Sequence, residues 1–230
     1  MIRLAKFIAS SGYCSRRAAC RLIESGIVWV NGKPAGHTMK VNHQDQIFID
    51  GEPLCPTTGG KTYLLYNKPA GIDCVCDLNN AASIVHQIKF KHRIFPVGRL
   101  DKDSHGLMLL TNDGDLCHRV LHPDHHHEKE YKVTVDRPID PLFCQAMAKG
   151  VSYKKVKTRP CQINQISKSS FKITLTQGLN RQIRHMCKAL GYTVTDLQRI
   201  RLMNLKLDNL SSNVYRHLTD EERIELFNAV

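Results

Sequence analysis

No stretch of the 230-residue chain stays apolar long enough to span a bilayer: its longest runs are of the order of Leu107–Leu110, against the ~20 residues a transmembrane helix needs. The nine cysteines contain no C-x-x-C pair, so neither a zinc ribbon nor a thioredoxin-type site is supported. There is no P-loop and no G-x-G-x-x-G fingerprint, which removes the usual backbone cradles for nucleotide phosphates. Acidic side chains are in deficit, 21 against 33 Lys and Arg, for a net charge of +12 with His neutral. The resulting pI of about 9.4 points to a polyanionic partner such as nucleic acid. Internal repeats and low-complexity tracts are also missing.

The N-terminus, MIRLAKFIASSGYCSRR, begins like a charged leader. Its apolar stretch is short, however, and Lys6 and Ser10-Ser11-Gly12 interrupt it before Arg16-Arg17. It therefore reads as an amphipathic helix of the mature protein and not as a signal peptide. Reduced thiols in a cytoplasmic protein are then the simplest account of the cysteines.

Leu4, Phe7 and Ile8 fall at helical spacing, and Ser15 is a good N-cap for a second helix to about Ser25, stopped by Gly26. IVWVNGKPA (27–35) reads as a strand entering an Asn31-Gly32 hairpin turn, and IFIDG (47–51) as the strand that closes this small sheet. EPLCPTTGGK (52–61) is rich in Pro, Gly and Thr. The expected division is a small unit at 1–52, a linker at 53–61 and a larger α+β region at 62–230. In that region strand signals appear at 62–66, 94–97, 107–111, 130–135, 171–176 and near 194–205. Helical signals appear at 81–89, 115–121, 140–148, 180–190 and 219–228, the last opened by a Thr219–Glu222 capping box. No βαβ rhythm links them, which favours a mainly antiparallel sheet with helices.

One loop raises a chemical question. GRLDKDSHGL (98–107) places Asp101 and Asp103 among Arg99, Lys102 and His105. Read as an EF-hand from Asp101, it matches at Asp103 and Gly106 but offers Leu109 and Asn112 where a ligand and the final Glu are needed. A solvated turn is a simpler reading, since Asp, Ser and Gly are normal turn residues. Against that, the apolar IFPVG precedes the loop and LMLL follows it. A loop pinned to core at both ends is how a rigid scaffold presents a reactive side chain.

GRLDKDSHGLMLLTNDGDL (98–116) resembles the signature of the RsuA/RluB/RluF group of ribosomal RNA pseudouridine synthases. LLYNKPAGI (64–72), KEYKVTV (129–135) and QGLNRQIRHMCKALGY (177–192) resemble further motifs of that family, in the expected order. RLMNLKLDNL (201–210) and LTDEE (218–222) resemble the RluF branch in particular, and the N-terminal unit is similar to the small RNA-binding domain named after ribosomal protein S-four.

The resemblance implies an S-four-type domain followed by a mainly antiparallel mixed α/β pseudouridine synthase domain. It implies isomerisation of a uridine, in 23S ribosomal RNA or a large-subunit precursor, by an enzyme that needs no cofactor and no metal. A monomer away from any membrane is expected. It also implies that Asp101 is the catalytic carboxylate, that Tyr131 stacks on the flipped base, and that Arg184 pairs with Asp101 to keep it ionised. Arg99, Asn180, Arg181 and His185 would touch phosphates near the target. Arg3, Lys6, Arg16, Arg17, Arg21 and Lys33 would form a second RNA contact. His185 stands where the family usually carries a second basic residue, which makes that contact weaker or dependent on pH.

Two rivals follow from the residues alone. One is an RNA-binding assembly protein without catalysis, the other a metal-dependent RNA hydrolase. The histidines at 125–127, with His122 and Asp124 nearby, have metal-binding side chains. Adjacent residues of a strand face opposite ways, so an exposed loop is the favoured reading.

Overall fold

The computed structural model describes residues 1–55 and 59–230. By internal contacts they form two units, each with its own core.

In the first unit, helices α1 (Leu4–Ser10) and α2 (Arg16–Glu24) cover one face of a four-stranded sheet. The expected caps are present: Ala18 N donates to Ser15 Oγ at 3.1 Å. The strands are β1 (Val28–Val30), β2 (Lys33–Pro34), β3 (Ile47–Ile49) and β4 (Glu52–Pro53), in the order β2-β1-β3-β4. Asn31 and Gly32 both adopt positive φ, 49° and 76°, the conformation of a tight two-residue hairpin. Leu4, Ile8, Ala19, Val28 and Ile49 lie at the centre of the buried cluster.

The sheet runs further than expected. Pro53 pairs with Phe48, and Leu54 N donates to Ile47 O at 2.8 Å. Pro53, the first residue assigned to the linker, is therefore strand, while the part of that linker at 56–58 lies outside the described residues. The unit also takes in residues 90–94 and 112–114. Thr62 explains this: its N donates to Asn112 Oδ1 at 2.8 Å and its hydroxyl meets His92 Nε2 at 3.0 Å.

The second unit is built on a nine-stranded sheet. Its main path uses β5 (Tyr63–Lys68), β6 (His105–Thr111), β7 (Lys129–Val135), β8 (Gln162–Ser167), β9 (Ser170–Leu175), β10 (Val194–Leu202) and β11 (Tyr215–His217). The order is β8-β9-β7-β10-β6-β5-β11. Along it only β10 and β6 run parallel, meeting at Gln198–His105 and Arg199–Gly106. Helices α3 (Gly114–Leu121), α4 (Pro141–Lys149), α5 (Gln182–Ala189) and α6 (Asp220–Asn228) complete the α+β architecture. The Thr219–Glu222 capping box opens α6.

Strands β5 and β6 are buried nearly throughout, as strands covered on both faces are. In β6 every residue from Gly106 to Thr111 is buried. Two cores result, one around Val133, Phe143, Phe171 and Met186, the other around Leu65, Leu107, Leu116 and Leu202.

Three differences from the sequence reading stand out. The helix expected at 81–89 is a single 3-10 turn, Ile84–His86. Strand β8 had no counterpart in that reading; its sequence QINQIS is polar and mostly exposed at the sheet edge. Strand β11 was also unforeseen, hidden in a polar tail that pairs with Leu64–Tyr66.

The parallel junction depends on Gly106, at φ 105°. A Cβ there would overlap the carbonyl oxygen of Arg199 and sit 2.8 Å from its nitrogen. Gly106→Ala is expected to destabilise the second unit by about 2–3 kcal/mol and to lower its thermal midpoint. An unchanged melting curve would contradict the tight β6–β10 contact.

Candidate active site

The loop 98–106 hangs between two anchored ends. Val97 N donates to Leu109 O at 2.7 Å, and Leu100, 7% exposed, sends its N–H to the buried Cys74 sulfur at 3.4 Å. Ser104 N closes a turn on Asp101 O at 3.0 Å. Gly71 N reaches Lys102 O at 2.7 Å, so the NKPAG segment braces the loop from behind. Lys68 is fully buried in that brace, and its Nζ donates to Pro69 O and Ile72 O at 2.9 and 2.8 Å. Burial pulls its pKa below the usual ammonium range.

The two aspartates have different partners. Asp103 takes a two-pronged bond from Arg181, at 3.0 and 2.8 Å. This bond, more than any other cause, holds its carboxyl below the usual range. Asp101 keeps its carboxylate on the cavity wall with about a quarter of its side-chain surface exposed; Arg181 Nη1 lies 3.8 Å from its Oδ2.

Arg184 does not pair with Asp101, contrary to the expectation from the resemblance. Its Nη2 donates to Asp103 O at 3.0 Å and Ser104 Oγ at 3.2 Å, with Asp103 Oδ2 at 3.4 Å, and its Nη1 donates to Val194 O at 3.2 Å. The reason is local geometry. Arg184 lies inside α5 and ties the loop backbone to β10. Arg181 precedes the helix with a left-handed backbone, φ 48°, and that turn carries its fork to the carboxylates.

A cavity of about 500 Å³ opens in front of the loop. Asp101 and Tyr131 line it, as do Arg99, Asn180 and Arg181, so five of the expected residues come together. Tyr131 lies on β7 opposite Ile173 and Arg199. His185 goes elsewhere: its ring stacks near Tyr153, with centroids 5.1 Å apart. Desolvation first, then Lys154, Arg181 and Lys188, hold its pKa below the ordinary value, so it is a poor cation at neutral pH. In the first unit Arg3, Arg16, Arg17, Arg21 and Lys33 are exposed and Lys6 is half-buried.

His118, His122, His125 and His127 follow one another with ring centroids 5.4 Å apart. Of these, His122 and His127 line the cavity. Among the described residues no group of three or more His, Cys, Asp or Glu side chains could hold a metal ion.

The RNA pseudouridylate synthase profile matches residues 62–189, and the S4 domain profile matches 2–47. The chain belongs to the RNA pseudouridylate synthase family. The dual-specificity RNA pseudouridine synthase RluF of Salmonella typhi is 44% identical over 229 residues, 99% of this chain and 79% of that protein. RluF of Escherichia coli K12 is 43% identical over 230 residues, 100% and 79% of the two chains. The ribosomal small subunit pseudouridine synthase A of the same strain is 34% identical over 227 residues, 96% and 98%. A crystal structure of a pseudouridylate synthase superposes with a TM-score of 0.72 at 30% identity, covering 98% of this chain and 100% of that one. As a synthase of this family, the chain converts uridine to pseudouridine in RNA.

Lys129 and Arg199 also line the cavity and Asp103 holds Arg181 beside it, though none of the three was among the expected residues. Asp103 was visible two residues from Asp101, and Lys129 two residues before Tyr131. Arg199 carried no signal, because a cation in an apolar strand pattern reads as solvent-facing.

The Arg181–Asp103 pair has a direct test. Arg181→Gln is expected to raise the Asp103 titration midpoint, followed by carboxyl NMR, back toward the usual carboxylate range. A depressed carboxylate contributes stability above its unfolded pKa, and that contribution is lost as pH falls through the folded pKa. The loop is therefore expected to loosen only in acid below that range. An Asp103 midpoint that ignores Arg181→Gln would contradict the pairing.

Proposed function

We propose that this synthase modifies a uridine of ribosomal RNA, in the large-subunit 23S RNA or its precursor, as a cytoplasmic monomer that needs no cofactor. Asp101 is the catalytic carboxylate, Tyr131 stacks on the extruded base, and Arg181 supplies the cation beside Asp101. The observation that carries this reading is the shared cavity: Asp101, Tyr131 and Arg181 line one recess large enough for a flipped nucleotide.

The reaction needs no redox step. The uridine N1–C1′ bond breaks, the base turns, C5 joins C1′, the C5 proton leaves and N1 gains a proton. One carboxylate can serve as nucleophile or base. An enzyme acting on a base must first take it out of the stack. Arg99 and Asn180, exposed at the cavity, suit the phosphates beside the target.

The ribosomal substrate is supported by the net charge of +12, by the S4 profile over residues 2–47, and by a relative named for the small ribosomal subunit. The large-subunit choice rests on the RluF-like segments 201–210 and 218–222. The RluF relatives are named dual-specificity, so a second RNA class belongs among the substrates to be tried. No helix among the described residues is long and apolar enough to cross a membrane.

Asp101→Asn is expected to bind RNA as the wild type does and to release no tritium from RNA labelled at uridine C5. Appreciable turnover by that variant would remove Asp101 from the chemistry. Replacing Arg16, Arg17 and Arg21 by Gln should flatten the dependence of log affinity on log salt by roughly 0.7 for every phosphate that these arginines neutralise. An unchanged slope would mean that the first unit does not touch the RNA backbone.

A further inference from the structure

Strand β10 carries Arg199 and Arg201 two residues apart, so regular alternation would put both on one face. The pairing with β7 prevents it. Glu130 pairs with Arg201 and Tyr131 with Arg199, leaving Ile200 as an extra residue. This is a β-bulge, a device that re-aims side chains and recurs beside active sites. The inward residues of β10 then fall at Leu197, Arg199 and Leu202, and all three line the cavity.

The bulge separates the two arginines chemically. Arg201 turns to two carboxylates, with Nε on Glu130 and Nη2 on Glu128, both at 2.9 Å. Arg199 is only 2% exposed and among the described residues has no carboxylate partner; Nε donates to Leu107 O at 2.7 Å, and Nη2 is buried with no partner there. Lys129 lies on the same face of β7 as Tyr131, two residues earlier, and also lines the cavity. Its Nζ donates to His127 O at 2.9 Å, which leaves further ammonium donors. Burial, and then the charge of Arg199, lower its pKa.

Two cations flanking one tyrosine, neither with a counter-ion among the described residues, are costly to keep. We propose that Lys129 and Arg199 form the cavity's anion subsite and bear on the carbonyl edge of the uracil stacked on Tyr131, stabilising the negative charge that the reaction puts on the base. This rests on the reading that the cavity receives the flipped uridine. The charge requirement holds for each route open to Asp101. If the N1–C1′ bond breaks first, its electron pair leaves with the base and spreads over N1, O2 and O4. If the carboxylate adds to the ring, the displaced π electrons reach O4. Fixed cations in a water-poor cavity stabilise such charge far better than water does. The register places Arg199 across from Tyr131, at the separation of about 5 Å of cross-strand neighbours.

The test compares wild type, Asp101→Asn, Lys129→Gln, Arg199→Gln and Arg199→Lys in single-turnover tritium release from uridine-C5-labelled ribosomal RNA transcripts, with RNA affinity and thermal midpoint measured in parallel. Lys129→Gln and Arg199→Gln are each expected to slow turnover by roughly 100-fold, the usual effect of removing one donor from a developing oxyanion, with RNA affinity unchanged. Arg199→Lys should recover part of that loss, which a purely structural role would not produce. Wild-type turnover in either Gln variant would overturn the proposal, and so would a loss confined to RNA affinity. Should Arg199→Gln melt early, Lys129→Gln decides alone, since its half-buried side chain makes a single hydrogen bond. An active Asp101→Asn would instead remove the reading of the cavity on which the subsite rests.

Discussion

Arg181 grips Asp103 with both prongs of its guanidinium, while Arg184, three residues on, holds the backbone and Ser104 of the same loop. The placement of Asp101 depends on this double hold. It adds to the anchors at Val97, Leu100 and Lys102, and a reacting group displaced by even ~1 Å loses much of its effect. One aspartate is neutralised so that its neighbour is positioned and stays available. The arginine between them stands 3.8 Å from Asp101 without occupying it.

The sheet supplies the rest of the cavity. Gly106 lets β6 run against the backbone of β10, which sets the loop beside the strand that bears Arg199. Strand β7 brings Tyr131 to the same wall, and the bulge at Ile200 decides which arginine faces inward. Acid, aromatic and cation thus come from a loop and two adjacent strands of one rigid sheet, the kind of support that precise catalytic geometry needs.

Much of this was legible in the sequence because it is governed by local chemistry. Ser15, the Asn31-Gly32 turn and the Thr219–Glu222 box act within a few residues, and each appears as expected. The apolar runs of β5 and β6 announced strands. The helix expected at 81–89 failed because its polar residues found closer partners: in the segment that leads to it, Val75, Asn79 and Ala82 donate to Asp73, Asp77 and Asn80 side chains. Such local bonds compete with helix formation. Strand β8 was hidden because an exposed edge needs no apolar alternation. The Arg184 pairing was misplaced by one helical turn, since a motif gives the order of residues and not the left-handed bend that aims Arg181 first. Arg199 could not be found at all, because a bulge is a property of two paired strands.

The most direct test of this account is the structure of Asp101→Asn bound to an RNA that the wild type modifies. The account predicts a single uridine extruded into the cavity, its base stacked on Tyr131, its ribose beside residue 101 and its carbonyl edge toward Lys129 and Arg199. A target uridine still stacked in the RNA, or bound outside this cavity, would contradict it.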